Sequence, residues 1–143
     1  MKVLIVGYGV QGQKRKKLLK KKNFFATLDD KNSKATFVDI NKIPKDKYDA
    51  VFLCVPDDQK MKLIKYFINL KKHILVEKPL ILKKIVDYKI LQKLSRKKKI
   101  YIYTAYNHRF EKNFEKVKKI LENKILGKIY LCKIYYGNGT SRI

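Results

Sequence analysis

A chain of 143 residues has the length of one ordinary domain with room for a small appendage. Hydrophobic residues make up 45% of it, enough for a real core, yet no unbroken apolar run nears the length that spans a bilayer, and the apolar opening Val3 to Val6 is too short for a secretory leader, so a cytoplasmic protein with no membrane partner is expected. The net charge of +24 would attract polyanions, but only four of the 36 basic residues are arginine (Arg15, Arg96, Arg109 and Arg142), and the lysines fall in runs such as Lys20-Lys21-Lys22 that suit solvated faces, which argues against a specific nucleic-acid partner.

Apolar runs alternate with amphipathic lysine-rich segments, the pattern of strand–helix–strand units around a parallel sheet. Met1 to Val6 reads as a buried strand, followed by a helix from about Gly12 to Lys22 with Leu18 and Leu19 inward. Phe24 to Leu28 is a second strand, ending at Asp29-Asp30. Ala35 to Val38 is a short third strand or extended piece. Lys31 to Lys34 is too short for a crossover helix, so this corner is expected to be abbreviated. Asp49 to Val55 is another buried strand, broken by Pro56. Asp57 to Lys71 spaces Met61, Ile64, Phe67 and Ile68 as one helix face. His73 to Val76 is a strand stopped by Pro79, Leu80 to Lys98 a long helix, and Ile100 to Ala105 a further strand. The rhythm then changes. Phe110 to Lys124 reads as a helix with Phe114, Val117, Ile120 and Leu121 on one face, and Lys128 to Tyr136 alternates like a strand of an antiparallel sheet. The fold class is therefore α/β, a Rossmann-type doubly wound parallel sheet over residues 1–105. Residues 106–143 are expected to begin an α+β second domain that this chain does not complete, since a single strand with open edges is no stable endpoint. Cys54 and Cys132 lie far apart with no ligand pair beside either; neither a disulfide nor a metal site is indicated, and both are expected to be buried thiols.

Gly7, Gly9 and Gly12 form a G-x-G-x-x-G loop, with Tyr8, Val10 and Gln11 between them, directly after a buried strand and before a helix. In that context the first glycine makes the tight turn, the second admits a pyrophosphate, and the third lets helix pack on strand. The helix N-terminus then faces the anion with its free N–H groups, and Val10, Gln11 and Gly12 are expected to bind the cofactor there. Asp29 follows Gly9 by 20 residues, where an acid bonds the adenosine ribose and favours NAD over NADP. Asp30 beside it is an alternative, an ordinary acidic turn is the plainer one, and Lys31 and Lys34 leave NADP open.

Three more segments end strands at the edge where open α/β sheets bind ligands: Val51 to Pro56, Val76-Glu77-Lys78-Pro79 and Tyr106-Asn107-His108-Arg109-Phe110. A lysine desolvated beside a nicotinamide and a sugar hydroxyl is suited to proton transfer. Taken alone, Glu77 and Lys78 read equally well as charged caps around a strand end.

The glycine loop combined with Glu77-Lys78-Pro79 and Asn107-His108-Arg109-Phe110, in this order and spacing, resembles the N-terminal domain of the glucose–fructose oxidoreductase / inositol dehydrogenase / rhizopine-catabolism (Gfo/Idh/MocA) family. The resemblance implies an NAD(P)-dependent oxidoreductase acting on a hydroxyl of a sugar, cyclitol or sugar nucleotide, homo-oligomeric at full length. It implies that Lys78 assists catalysis beside nicotinamide and substrate, that Glu77 and Asn107 line the same pocket, and that Pro56 borders the cofactor and Arg109 the substrate. Two positions depart from the family pattern: Arg15 stands where histidine is frequent three residues after the third glycine, and Lys60 where histidine is frequent four residues after Pro56. The family's aspartate-to-histidine motif has no counterpart here, which keeps a non-catalytic dinucleotide-binding protein as the alternative. The segment from Tyr135 to Thr140 resembles members from carbohydrate and surface-polysaccharide pathways.

Overall fold

The structure is a computed structural model and describes residues 1–82, 84–135 and 137. It divides into two compact units, Met1–Tyr106 and a second from Asn107 onward. In the first unit, five strands form one parallel sheet: β1 (Val3–Val6), β2 (Phe24–Leu28), β3 (Ala50–Leu53), β4 (His73–Val76) and β5 (Ile102–Thr104), in spatial order β2-β1-β3-β4-β5. The helices α1 (Val10–Leu18), α2 (Asp57–Asn69) and α3 (Ile85–Lys98) connect them. Val3, Leu4, Ile5, Val51 and Leu53 are almost wholly removed from water, as strands covered on both faces must be. Ile64, Phe67 and Ile68 are the buried stripe of α2 that packs on them, while Met61 is half-buried.

Several boundaries differ from the sequence expectation. Helix α1 stops at Leu18 instead of reaching Lys22, and Leu18 is 76% exposed, not inward; Leu19 is half-buried. The next turn would stack Lys16 on Lys20 and Lys17 on Lys21, like charges four apart with no apolar face to bury, so the chain breaks into a 3-10 turn at Lys21–Asn23. Ala35 to Val38 makes no strand: one parallel bridge, Leu28 to Phe37, is all that forms beside β2, held by Asp29 N–H to Phe37 O and Phe37 N–H to Thr27 O. The link from β2 to β3 is abbreviated to a 3-10 turn at Ile40–Lys42. Helix α3 begins at Ile85, not Leu80, because Leu80 is buried in extended chain, with its carbonyl accepting from the Tyr88 hydroxyl.

In the second unit a 3-10 turn (Asn107–Phe110) precedes α4 (Lys112–Glu122). The expected strand from Lys128 is absent among the described residues: 128–135 pair with nothing and are exposed, and a strand exists only through pairing. Cys132 is accordingly exposed, against expectation, and Cys54 only half-buried. Residues 136 and 138–140 of the Tyr135 to Thr140 segment lie outside the described residues.

Candidate nucleotide-binding site

The sheet's ladder runs one residue past its strands. Gly7 N–H donates to Leu28 O, Cys54 N–H to Val6 O, Glu77 N–H to Leu53 O, and Ala105 N–H to Val76 O. Asp29, Gly7, Cys54, Glu77 and Ala105 therefore continue the register in which Leu28, Val6, Leu53, Val76 and Thr104 are neighbours. Three strand steps, about 14 Å, separate the acid at one end of this row from Glu77. The strand order reverses at β1, with β2 added on one side and β3 on the other, so the row borders the topological switch point, where such sheets bind ligands.

The three glycines have different surroundings. Gly7 has φ +86°, and a β-carbon there would sit 2.5 Å from Cys54 O. One on Gly12 would sit 2.0 Å from Gly7 O, so helix and loop touch only because the side chain is missing. One on Gly9 would meet nothing within 4 Å. Gly7 and Gly12 thus build the turn, and Gly9 faces open space at the head of α1, where Val10 is 70% exposed and the first turn carries no acidic side chain.

That space belongs to a cleft of about 1330 Å³ bordered by Gly7, Gly9, Asp29, Asn32, Pro56 and Tyr66, among others. The Asp29 carboxylate is held by three backbone donors: Tyr8 N–H at 2.7 Å, Lys31 N–H at 2.9 Å and Asn32 N–H at 3.0 Å. Asn32 adds a side-chain bond to Tyr8 O at 2.9 Å. Asp29 is thereby a fixed acceptor tying glycine loop to β2, whereas Asp30 is exposed. Asn32 was missed in the sequence; an Asp-x-x-Asn turn is the signal that would have found it.

Structure and sequence place Glu77 and Lys78 at the end of β4. Glu77 is 9% exposed and pairs with Arg15 of α1, Nε to Oε1 at 2.5 Å. Lys78 is exposed, and its peptide bond to Pro79 is cis. Lys60 of α2 is 3% exposed and donates at 2.6 Å both to Asp57 Oδ1 and to Pro79 O. Burial pushes the Cys54 thiol up to about 12; the Glu77 carboxylate adds to the rise and Arg15 and Lys60 act against it, so the thiol stays protonated. Gly7, Gly9, Asp29 and Pro56 share the cleft, and Glu77 and Lys78 share its sheet edge. Asn107 and Arg109 lie on the 3-10 turn that opens the second unit, both exposed.

The family described as "Oxidoreductase family, NAD-binding Rossmann fold" (Gfo/Idh/MocA) matches residues 1–106. The chain belongs to this family. It is 33% identical over 86 residues to the myo-inositol 2-dehydrogenase of Thermotoga maritima, and 35% identical over 86 residues to an uncharacterized oxidoreductase of Bacillus subtilis. Each match takes in 60% of this chain and a quarter (25%) of the relative's length. Among solved structures, apo scyllo-inositol dehydrogenase from Lactobacillus casei superimposes with a TM-score of 0.70 at 20% identity, over 89% of this chain and 42% of that one. A probable dehydrogenase from Thermotoga maritima gives 0.64 at 25% identity, over 90% and 42%. These similarities carry the Rossmann-type fold and the NAD-binding oxidoreductase family. Among the described residues no helix is long and apolar enough to cross a membrane.

Proposed function

We propose that the chain forms the nucleotide-holding part of an NAD-dependent oxidoreductase acting on a hydroxyl of a sugar, cyclitol or sugar nucleotide. The observation that carries this reading is the glycine loop's division of labour: two glycines close the turn, while Gly9 leaves the head of α1 open toward a large cleft. The N–H groups of Val10, Gln11 and Gly12 receive the pyrophosphate there. Asp29, already aimed by three backbone donors, keeps lone pairs for the adenosine ribose hydroxyls, and its charge disfavours a 2′-phosphate. Pro56 borders the same cleft, and Glu77 lines the edge beyond it. Nicotinamide, when bound, supplies the hydride acceptor. Lys78 takes the proton of the substrate hydroxyl, and Asn107 and Arg109 orient the substrate. In this reading residues 106–143 open a substrate and oligomerisation domain, and the full-length protein is a homo-oligomer. The name of the Thermotoga maritima relative favours a cyclitol among the substrates.

Titration of the purified protein with NADH and NADPH tests the reading. NADH is expected to bind at least about tenfold more tightly, a difference of about 1.4 kcal/mol. Lys78→Ala should leave NADH affinity within about threefold and lower oxidation of inositols or sugars by about 10²-fold or more. Binding of neither nucleotide overturns the proposal. NADH binding without turnover of any sugar or cyclitol assigns the chain instead as a non-catalytic dinucleotide binder.

A further inference from the structure

The two positions that depart from the family's pattern meet on one tripeptide. Arg15 reaches from α1 to the Glu77 carboxylate, and Lys60 reaches from α2 to the Pro79 carbonyl. Their targets are the residues immediately before and after Lys78. We propose that Arg15 and Lys60 are positioning residues that grip Glu77-Lys78-Pro79 from two helices and thereby fix the backbone from which the Lys78 amine is presented. The inference rests on the role given to Lys78 above; neither cation touches the reactants.

The physical case is one of satisfaction. A buried ammonium is costly unless its donors are engaged, and Lys60, at 3% exposure, has a carboxylate and a carbonyl as partners. If the Pro79 carbonyl moved away, Lys60 would lose one of them. Glu77 is under the same constraint, since a carboxylate at 9% exposure needs a cation, and Arg15 is at 2.5 Å. Asp57 completes a set of two cations and two carboxylates around a segment that also donates Glu77 N–H to Leu53 O and accepts Tyr88 OH at Leu80 O. The Cys54 thiol feels Glu77, Arg15 and Lys60 at once, which places these groups in one locale. Lys78 alone in the segment projects a charge into solvent, on a long flexible stem whose reach is useful only if its base is held.

Residue-resolved amide exchange and 1H–15N spectra of the whole chain, with and without NADH, decide this. In Lys60→Met and in Arg15→Met, the amides of Glu77, Lys78 and Leu80 should exchange about tenfold faster and shift, while β1 keeps its rates, as expected for loss of one buried charged hydrogen bond. Arg15→Lys, which returns a cation to Glu77, and Lys60→Gln, which returns a donor to Pro79 O, should restore much of the protection; they also serve if a methionine variant does not fold. Unchanged exchange and shifts at 77–80, or acceleration shared equally with β1, would overturn the clamp. Failure of the unmutated protein to bind NADH overturns the role of Lys78 and with it the purpose of the clamp. Unchanged exchange in variants that do bind NADH overturns the clamp alone.

Discussion

Only two residues separate Gly9 from Gly12, yet a methyl group on one would meet open space and on the other a carbonyl oxygen at 2.0 Å. Binding and folding are therefore separable by mutation within a single loop. Gly12→Ala forces apart α1 and the turn at Gly7 and should cost about 3 kcal/mol of stability, as overpacked contacts against unyielding backbone do. Gly9→Val fills only the space over the helix terminus. Gly9 has φ −73° and ψ −160°, a conformation any residue adopts, so the penalty should be confined to a poorer helix cap, about 1 kcal/mol or less. NADH binding should nevertheless fall at least about tenfold, since the backbone can no longer be approached. Urea unfolding beside nucleotide titration checks both halves, and equal loss of stability in the two variants would contradict the assignment. The glycines were legible because their spacing, strand and helix are all local. Arg15 and Lys60 stood out in the sequence only as departures: their partners on the Glu77–Pro79 segment lie 62 and 19 residues away, brought near by strand order, which no local pattern encodes.

Three helices end alike. Lys71 after α2, Lys99 after α3 and Lys124 after α4 have φ of 54°, 54° and 53°, the left-handed region in which a side chain is strained. Each closes the last turn with the paired bonds of a Schellman motif: Lys71 N–H to Ile68 O with Lys72 N–H to Phe67 O, Lys99 N–H to Arg96 O with Ile100 N–H to Ser95 O, and Lys124 N–H to Leu121 O with Ile125 N–H to Ile120 O. Glycine is the usual occupant of such positions, so the lysine enrichment has spread into sites where lysine is a poor fit. Lys71→Gly and Lys99→Gly should each stabilise the first unit by about 1 kcal/mol, net of glycine's greater unfolded-state freedom by somewhat less. Because the sites are on different helices, the double variant should show nearly the sum. Thermal unfolding measures it; a lowered midpoint in both single variants would show that the lysine stems contribute packing the left-handed strain does not outweigh. These endings also explain why helix boundaries were the least legible elements. Without a glycine or proline at the stop itself, α2 and α4 each read two residues too far at the C-terminal end, whereas the run His73 to Val76 gave its strand without error.

At the scale of the whole molecule, a net charge of +24 surrounds the site proposed for a dianionic nucleotide, so the field and the proposed site both favour anions. They differ in how salt affects them. A polyanion held by scattered lysines binds through counterion release, and its affinity should fall by about 10³-fold or more between 50 and 200 mM salt, vanishing for duplex DNA near physiological ionic strength. In the proposed site NADH would depend on fixed N–H donors of α1 and on a partly enclosed cleft, and these are screened far less. Its affinity should change by no more than about tenfold over the same range, with the general field affecting mainly the association rate. Parallel titrations of NADH and a duplex oligonucleotide at rising salt separate the two. If NADH binding were lost along with the DNA, the attraction would belong to the lysine surface alone, and the glycine loop would have no claim on the nucleotide. If DNA binding persisted at physiological salt, the basic face would have to contain an organised contact surface, which four arginines among 36 basic residues do not suggest.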